Sequence, residues 1–144
     1  MKREDLKETV IRELIRTASD MRRMSYTPYS GYRVGAALLA KDGTVFGGCN
    51  IENAAFGPTV CAERTAVFKA VSEGNCRFDA IAVMGGADPD RGEIAPPCGV
   101  CRQVLREFTD PGEFLVIMAA SEENYEICTL EELLPRSFGP DHLQ

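Results

Sequence analysis

Residues 61–120 read CAERTAVFKA VSEGNCRFDA IAVMGGADPD RGEIAPPCGV CRQVLREFTD PGEFLVIMAA. From Cys61 the pattern is helical: Ala62, Ala66, Val67, Ala70 and Val71 share one stripe, and Gly74 stops the helix. FDAIAVMGG is a short apolar run bounded by glycines, which predicts a buried strand. ADPDRGEIAPP is a loop, and a second helix runs from Cys98 to about Phe108, ended by Asp110-Pro111-Gly112. EFLVIMAA is a second buried strand. Apolar strands alternating with helices require crossovers and a sheet covered on both faces.

Working outward, residues 4–24 read as an amphipathic helix with Leu6, Val10, Leu14, Ile15, Ala18 and Met21 at helical spacing. YTPYSGY is a loop, residues 33–40 (RVGAALLA) a strand, and Asp42-Gly43 a hairpin turn from which TVFGGC returns. NIENAAFGPTV is the loop that leads to Cys61. After the central block, YEICT is a fifth strand and TLEELLP a terminal helix opened by a Thr129/Glu132 capping box. The tail SFGPDHLQ reads as irregular. The hairpin makes the sheet mixed, and residues 1–144 read as one domain without repeats or linkers.

The bulk properties narrow the function. Net charge is −6 and the basic residues are scattered among acids, which disfavours a nucleic-acid partner. No apolar run nears the roughly 20 residues needed to span a membrane, and the charged N-terminus MKREDLKETVIREL does not read as a signal peptide. The expected compartment is the cytoplasm, where six cysteines point to thiolate chemistry rather than disulfides. Cys49, Cys76 and Cys128 read as small buried apolar residues.

PPCGVC poses the chemical question. Cys98 and Cys101 form a redox pair or half of a metal site, at a loop-to-helix junction whose helix dipole favours thiolates. Cys61 stands at a similar junction, with 36 residues between it and Cys98. The single histidine, His142, lies near the C-terminus, so an imidazole ligand is a poor candidate. Cys61, Cys98 and Cys101 would leave one zinc position open, as in catalytic sites; a fourth cysteine, Cys49 or Cys128, would make the site structural. Glu63, two residues past Cys61, reads alone as an acid favouring the helix dipole. Beside P-C-x-x-C it reads as a proton shuttle for zinc-activated water. Three thiolates make such a centre strongly negative, and Arg64 is a candidate counter-charge if it is not simply a solvated surface arginine.

Cys61-Ala62-Glu63 with Pro97-Cys98-Gly99-Val100-Cys101 is the zinc deaminase pattern. With SYTPYSGYRVGAALLAKDG, GCNIENAAFGPTVCAERTAVFKAVSEG, PPCGVCRQVLREF and ELLPRSF, it resembles the small homotetrameric cytidine deaminases over most of residues 24–138. The resemblance implies a three-layer α/β/α sandwich around a five-stranded mixed sheet. It implies one zinc per subunit on Cys61, Cys98 and Cys101, with Glu63 as the shuttle. The implied reaction is hydrolytic deamination of cytidine and 2′-deoxycytidine, with zinc hydroxide attacking C4. Asn50 and Glu52 match positions that bind the ribose, and Tyr32 and Phe138 positions that flank base or sugar. Ala54 and Phe56 match a loop that reaches a neighbouring subunit's site. Asn50 also suits a turn, and Phe138 core packing. Tyr32 stands where phenylalanine is the commoner family residue. Another free cytosine nucleoside, such as a nucleoside antibiotic, is the alternative substrate.

Overall fold

A computed structural model describes residues 1–144. Its elements are α1 (Glu8–Met21), β1 (Gly35–Ala40), β2 (Val45–Cys49), α2 (Ala62–Ser72), β3 (Phe78–Met84), α3 (Gly99–Phe108), β4 (Leu115–Ala119), β5 (Tyr125–Thr129) and α4 (Leu130–Leu133). The sheet order is β2-β1-β3-β4-β5. Only the β3–β4 pair is parallel, so the sheet is mixed and five-stranded as expected.

Strand alternation splits the core in two. Ala37, Leu39, Ala80, Ala82, Leu115 and Ile117 face Leu14, Ile15 and Ala18 of α1. Ala36, Leu38, Ile81, Val83 and Val116 face Ala62, Ala66, Val67 and Ala70 of α2, Leu105 of α3 and Leu130 of α4. Apart from Asp79 near the start of β3, which pairs with Lys41, the central strands are therefore apolar on both sides, which is the pattern of a sheet covered on both faces. The result is the three-layer α/β/α sandwich.

Register brings the two cysteine-bearing helices to one end. Gly35 pairs with Cys49 on one side and with Met84 on the other, so β2 and β3 run alongside and end together. The loops that lead to α2 and α3 leave the same edge of the sheet. Gly48 lets α2 approach closely: a Cβ there would lie 2.4 Å from the Ala62 carbonyl oxygen.

Some expected boundaries shift. The first helix does not run 4–24; Lys7 is extended (φ −66°, ψ 144°), and short 3-10 turns occupy Arg3–Asp5 and Arg22–Met24 on either side of α1. This turns Leu6 inward, while Ile11, absent from the expected stripe, is buried. The first strand begins at Gly35 rather than residue 33. The tail carries a 3-10 turn at Pro140–Leu143 where irregular chain is expected, because His142 reaches back to the Gly139 N–H. Cys76 is exposed rather than buried, lying in the connection between α2 and β3. The Thr129/Glu132 capping box is present, and Gly74 ends α2 with φ +89°. No helix is long and apolar enough to cross a membrane.

Candidate active site

Both cysteine motifs sit where helices begin. Cys61 is the N-cap of α2 and Cys98 the N-cap of α3; Cys98 Sγ accepts a hydrogen bond from the Cys101 N–H at 3.5 Å. Cys101, on the first turn of α3, is fully buried. Each thiol therefore lies at the positive end of a helix dipole, which favours its ionised form.

The three sulfurs converge. Cys61 and Cys98 Sγ are 3.6 Å apart, Cys98 and Cys101 Sγ 3.4 Å, and all three lie within 4.8 Å of one another. Thiolates about 2.3 Å from a tetrahedral zinc would be separated by about 3.8 Å, so the spacing fits that ion. Cys49 and Cys128 lie outside the cluster, which removes the fourth-cysteine reading of a structural site. A lone redox pair does not account for a third sulfur at this distance.

Charge is distributed unevenly among these groups. A hydrogen bond from Cys101 pulls the Cys61 thiol down to about 5, against the effect of burial, and Arg64 and Cys98 add to it. The Cys101 thiol is pushed up by the same contact and by burial. Arg64 Nη2 donates to Cys61 Sγ at 3.3 Å, so it is not a free surface arginine. Burial opposes the charge on Arg64, but its hydrogen bonds to the Cys61 and Cys101 sulfurs outweigh that and its pKa is raised. Arg64 Nε is buried with no partner. The guanidinium thus carries more donor capacity than the protein groups here use, which suits a cluster of thiolates.

Glu63 is 3% exposed on the first turn of α2. Burial, with the negative Cys61 as a lesser cause, pushes its carboxyl up to about 7. A group poised there can both take and give a proton near neutral pH. An acid that only complemented the helix dipole would gain nothing from such burial.

The remaining expected residues form a looser shell. Asn50 is clamped at both ends of its amide, accepting from the Val34 N–H at 2.9 Å and donating to the Tyr32 carbonyl at 2.8 Å. One N–H and one lone pair remain free of these contacts. Glu52 accepts from the Tyr29 and Ser30 N–H groups at 3.0 and 3.1 Å and from the Ser30 hydroxyl. These bonds, led by the hydroxyl, hold its carboxyl below its ordinary range. Tyr29, Ser30, Glu52, Asn53, Phe56 and Thr59 line an open cavity of about 370 Å³. Ala54 and Phe56 are exposed, Phe56 at 79%. Tyr32 packs over Gly85, where an added Cβ would lie 2.7 Å from its hydroxyl oxygen; burial there raises the phenol pKa. Phe138 is 57% exposed, which excludes core packing, and its ring stacks on His142 at 4.9 Å.

Sequence reasoning missed the arginines that brace this end of the molecule. Arg102 donates to the Pro97 carbonyl at 2.8 Å and the Leu133 carbonyl at 2.6 Å, fixing the loop ahead of Cys98. Arg22, nearly fully buried, donates to the carbonyls of Arg33, Gly86 and Asp88 on either side of the Tyr32 position. No spacing rule marks either, because their partners are backbone oxygens, most of them 11 or more residues away.

Known proteins share these features. Residues 8–119 match the family model for the cytidine and deoxycytidylate deaminase zinc-binding region. The chain is 45% identical over 133 residues to a cytidine deaminase of Sporosarcina psychrophila, covering 92% of this chain and 94% of that one. It is 49% identical over 130 residues to a cytidine deaminase of Halalkalibacterium halodurans, covering 90% and 95%. The crystal structure of cytidine deaminase from Burkholderia pseudomallei superposes with a TM-score of 0.79 at 41% identity, over 88% of this chain and 97% of that one. Matches of this reach, on a chain whose three thiols converge beside a buried glutamate, make the protein a member of the zinc-dependent cytidine and deoxycytidylate deaminase family.

Proposed function

We propose that the protein hydrolyses cytidine and 2′-deoxycytidine to uridine and 2′-deoxyuridine with release of ammonia. The observation that carries this reading is the cluster of Cys61, Cys98 and Cys101 sulfurs within 4.8 Å beside the buried Glu63. The similarity to cytidine deaminases over nine-tenths of the chain supplies the substrate class.

Cys61, Cys98 and Cys101 would hold one zinc per subunit. Held by three thiolates, zinc offers an open Lewis-acidic position that activates water near neutral pH. Glu63 receives a proton as water adds to C4 and delivers it to N3. It then carries a second proton from the new hydroxyl to the leaving amine. The C4–N bond breaks, ammonia departs and a carbonyl remains at C4. Arg64 offsets thiolate charge, so that the centre still attracts the water's oxygen. Asn50 and Glu52 take the sugar hydroxyls as donor and acceptor, and Tyr32 and Phe138 flank base or sugar.

Residues 1–144 act as one domain, and the active unit is a homotetramer whose sites are shared. The exposure of Phe56 and Phe138, two large apolar side chains expected at the substrate, supports a shared site that a second copy completes. Six free cysteines favour the reducing cytoplasm, where the reaction serves pyrimidine salvage.

A substrate panel tests the reading. Zinc-loaded protein is incubated with cytidine, deoxycytidine, CMP, a nucleoside antibiotic and single-stranded DNA, and cytosine absorbance and ammonia are followed. Turnover of the two simple nucleosides is expected; turnover of none of the free nucleosides overturns it.

A further inference from the structure

The C-terminal tail is fastened to the same helix that carries two of the clustered thiols. Arg106, in the second half of α3, is a charged side chain that is only 8% exposed. Its guanidinium donates from Nε to Ser137 Oγ at 2.8 Å and from Nη2 to Asp141 Oδ1 at 2.6 Å. The chain between these partners wraps closely around it, and a Cβ on Gly139 would lie 2.3 Å from the guanidinium carbon. One turn nearer the thiols, Gln103 Nε2 donates to the Phe138 carbonyl at 2.9 Å. The tail then folds back on itself: the Gly139 N–H donates to His142 Nδ1 at 3.0 Å, and the imidazole lies against the Phe138 ring at an interplanar angle of 19°.

Phe138 is thus gripped through its backbone on one side and backed by His142 on the other, while its ring stays largely in solvent. An aromatic ring left in water gains nothing from burial, so this arrangement does not contribute a core contact. A buried arginine with two charge-assisted or hydroxyl partners, by contrast, is a rigid anchor.

We propose that Arg106 is a positioning residue: by clasping Ser137 and Asp141 it fixes where the tail presents Phe138 to the substrate. The inference rests on the reading of Phe138 as a substrate-flanking aromatic. It acts on binding rather than on the proton transfers, because no part of the clasp touches Glu63 or the thiols in this structure.

Asp141→Ala tests this without emptying the buried Arg106 position, since the Asp141 side chain is 65% exposed. The variant is expected to keep its zinc and its kcat within about two-fold while KM for cytidine rises about five-fold, the net scale of one ordinary hydrogen bond. Phe138→Ala should raise KM further, and adding Asp141→Ala to it should change nothing more, because both act through the same ring. His142 is the only histidine, so its imidazole proton NMR signal reports tail docking without any assay. That signal, displaced by the Phe138 ring in the parent, should move toward a free-histidine position in Ser137→Ala, which removes an Arg106 partner while leaving Asp141 Oδ1 in place 3.5 Å from His142 Nδ1. An unmoved signal, or a KM effect that persists in full on Phe138→Ala, overturns the proposal. Wild-type KM in Phe138→Ala removes the substrate-flanking reading itself, and parent turnover of cytidine in the same assay shows separately whether the activity stands.

Discussion

The thiol cluster and the shell around it are built by different means. Every group at the cluster takes its position from a helix start: Cys61 and Cys98 are N-caps, and Cys101 and Glu63 sit on first turns. The shell depends on bonds between segments far apart in the chain. Glu52 is held by amides 22 and 23 residues away, Asn50 by Val34, and Phe138 by Gln103 at a separation of 35. Burial grades across both: Cys101 and Glu63 are enclosed, Cys61 is half-buried and Cys98 exposed, while in the shell Asn50 and Glu52 are half-buried and Phe56 and Phe138 exposed. The cluster therefore takes its geometry from local helix starts within one folded chain, while the shell takes its geometry from contacts between distant segments.

The sharpest way to break this contrast is Cys101→Ser. It places a weak ligand at a buried position and should abolish zinc retention, lowering kcat by more than about a thousand-fold. Metal analysis and turnover measured together check it; full zinc occupancy with normal rate would mean that Cys101 is not a ligand.

Arg64→Ala comes next. Removal of the donor to Cys61 should leave a folded, zinc-loaded enzyme with kcat lowered about ten- to a hundred-fold and KM nearly unchanged. Unchanged turnover would return Arg64 to an incidental surface role.

The shell should respond in the opposite kinetic parameter. Glu52→Ala removes both a candidate sugar contact and the anchor of the Tyr29–Ser30 loop, so KM should rise about ten-fold, with a smaller fall in kcat. A pure kcat effect would place Glu52 with the cluster instead.

Acid gives the smallest effect. The Glu52 carboxyl has a lowered pKa in the fold, so its anchoring is fully present above the ordinary carboxylate range and is lost as pH falls through the lowered value. Amide-exchange protection at Tyr29 and Ser30 should drop there, before protection in β1 or β3. Protection that persists to strongly acidic pH would show that the loop holds without Glu52.

The same division explains what could be read in advance. The α2 stripe of Ala62, Ala66, Val67 and Ala70 and the stop at Gly74 are short-range patterns, and the structure keeps them. The meeting of Cys61 with Cys98 followed from two helices starting at one sheet edge, which Gly35 pairing with both Cys49 and Met84 makes concrete. By contrast, Arg22, Arg102 and Arg106 look like ordinary helix-surface cations in sequence. Their partners are carbonyls and side chains up to 69 residues away, and periodicity carries no trace of them. The break at Lys7 leaves no mark in the sequence, because the Leu6 side chain is apolar in either conformation and only the backbone differs.

The proposed activity stands on three thiolates that hold a catalytic zinc and on proton traffic through Glu63. Glu63→Gln keeps the shape of the side chain and removes its ability to accept a proton. Zinc content and cytidine turnover measured on the same preparation decide it. The expected result is one zinc per subunit, with kcat reduced by roughly three orders of magnitude or more. Turnover near the parent rate at full zinc occupancy would contradict it.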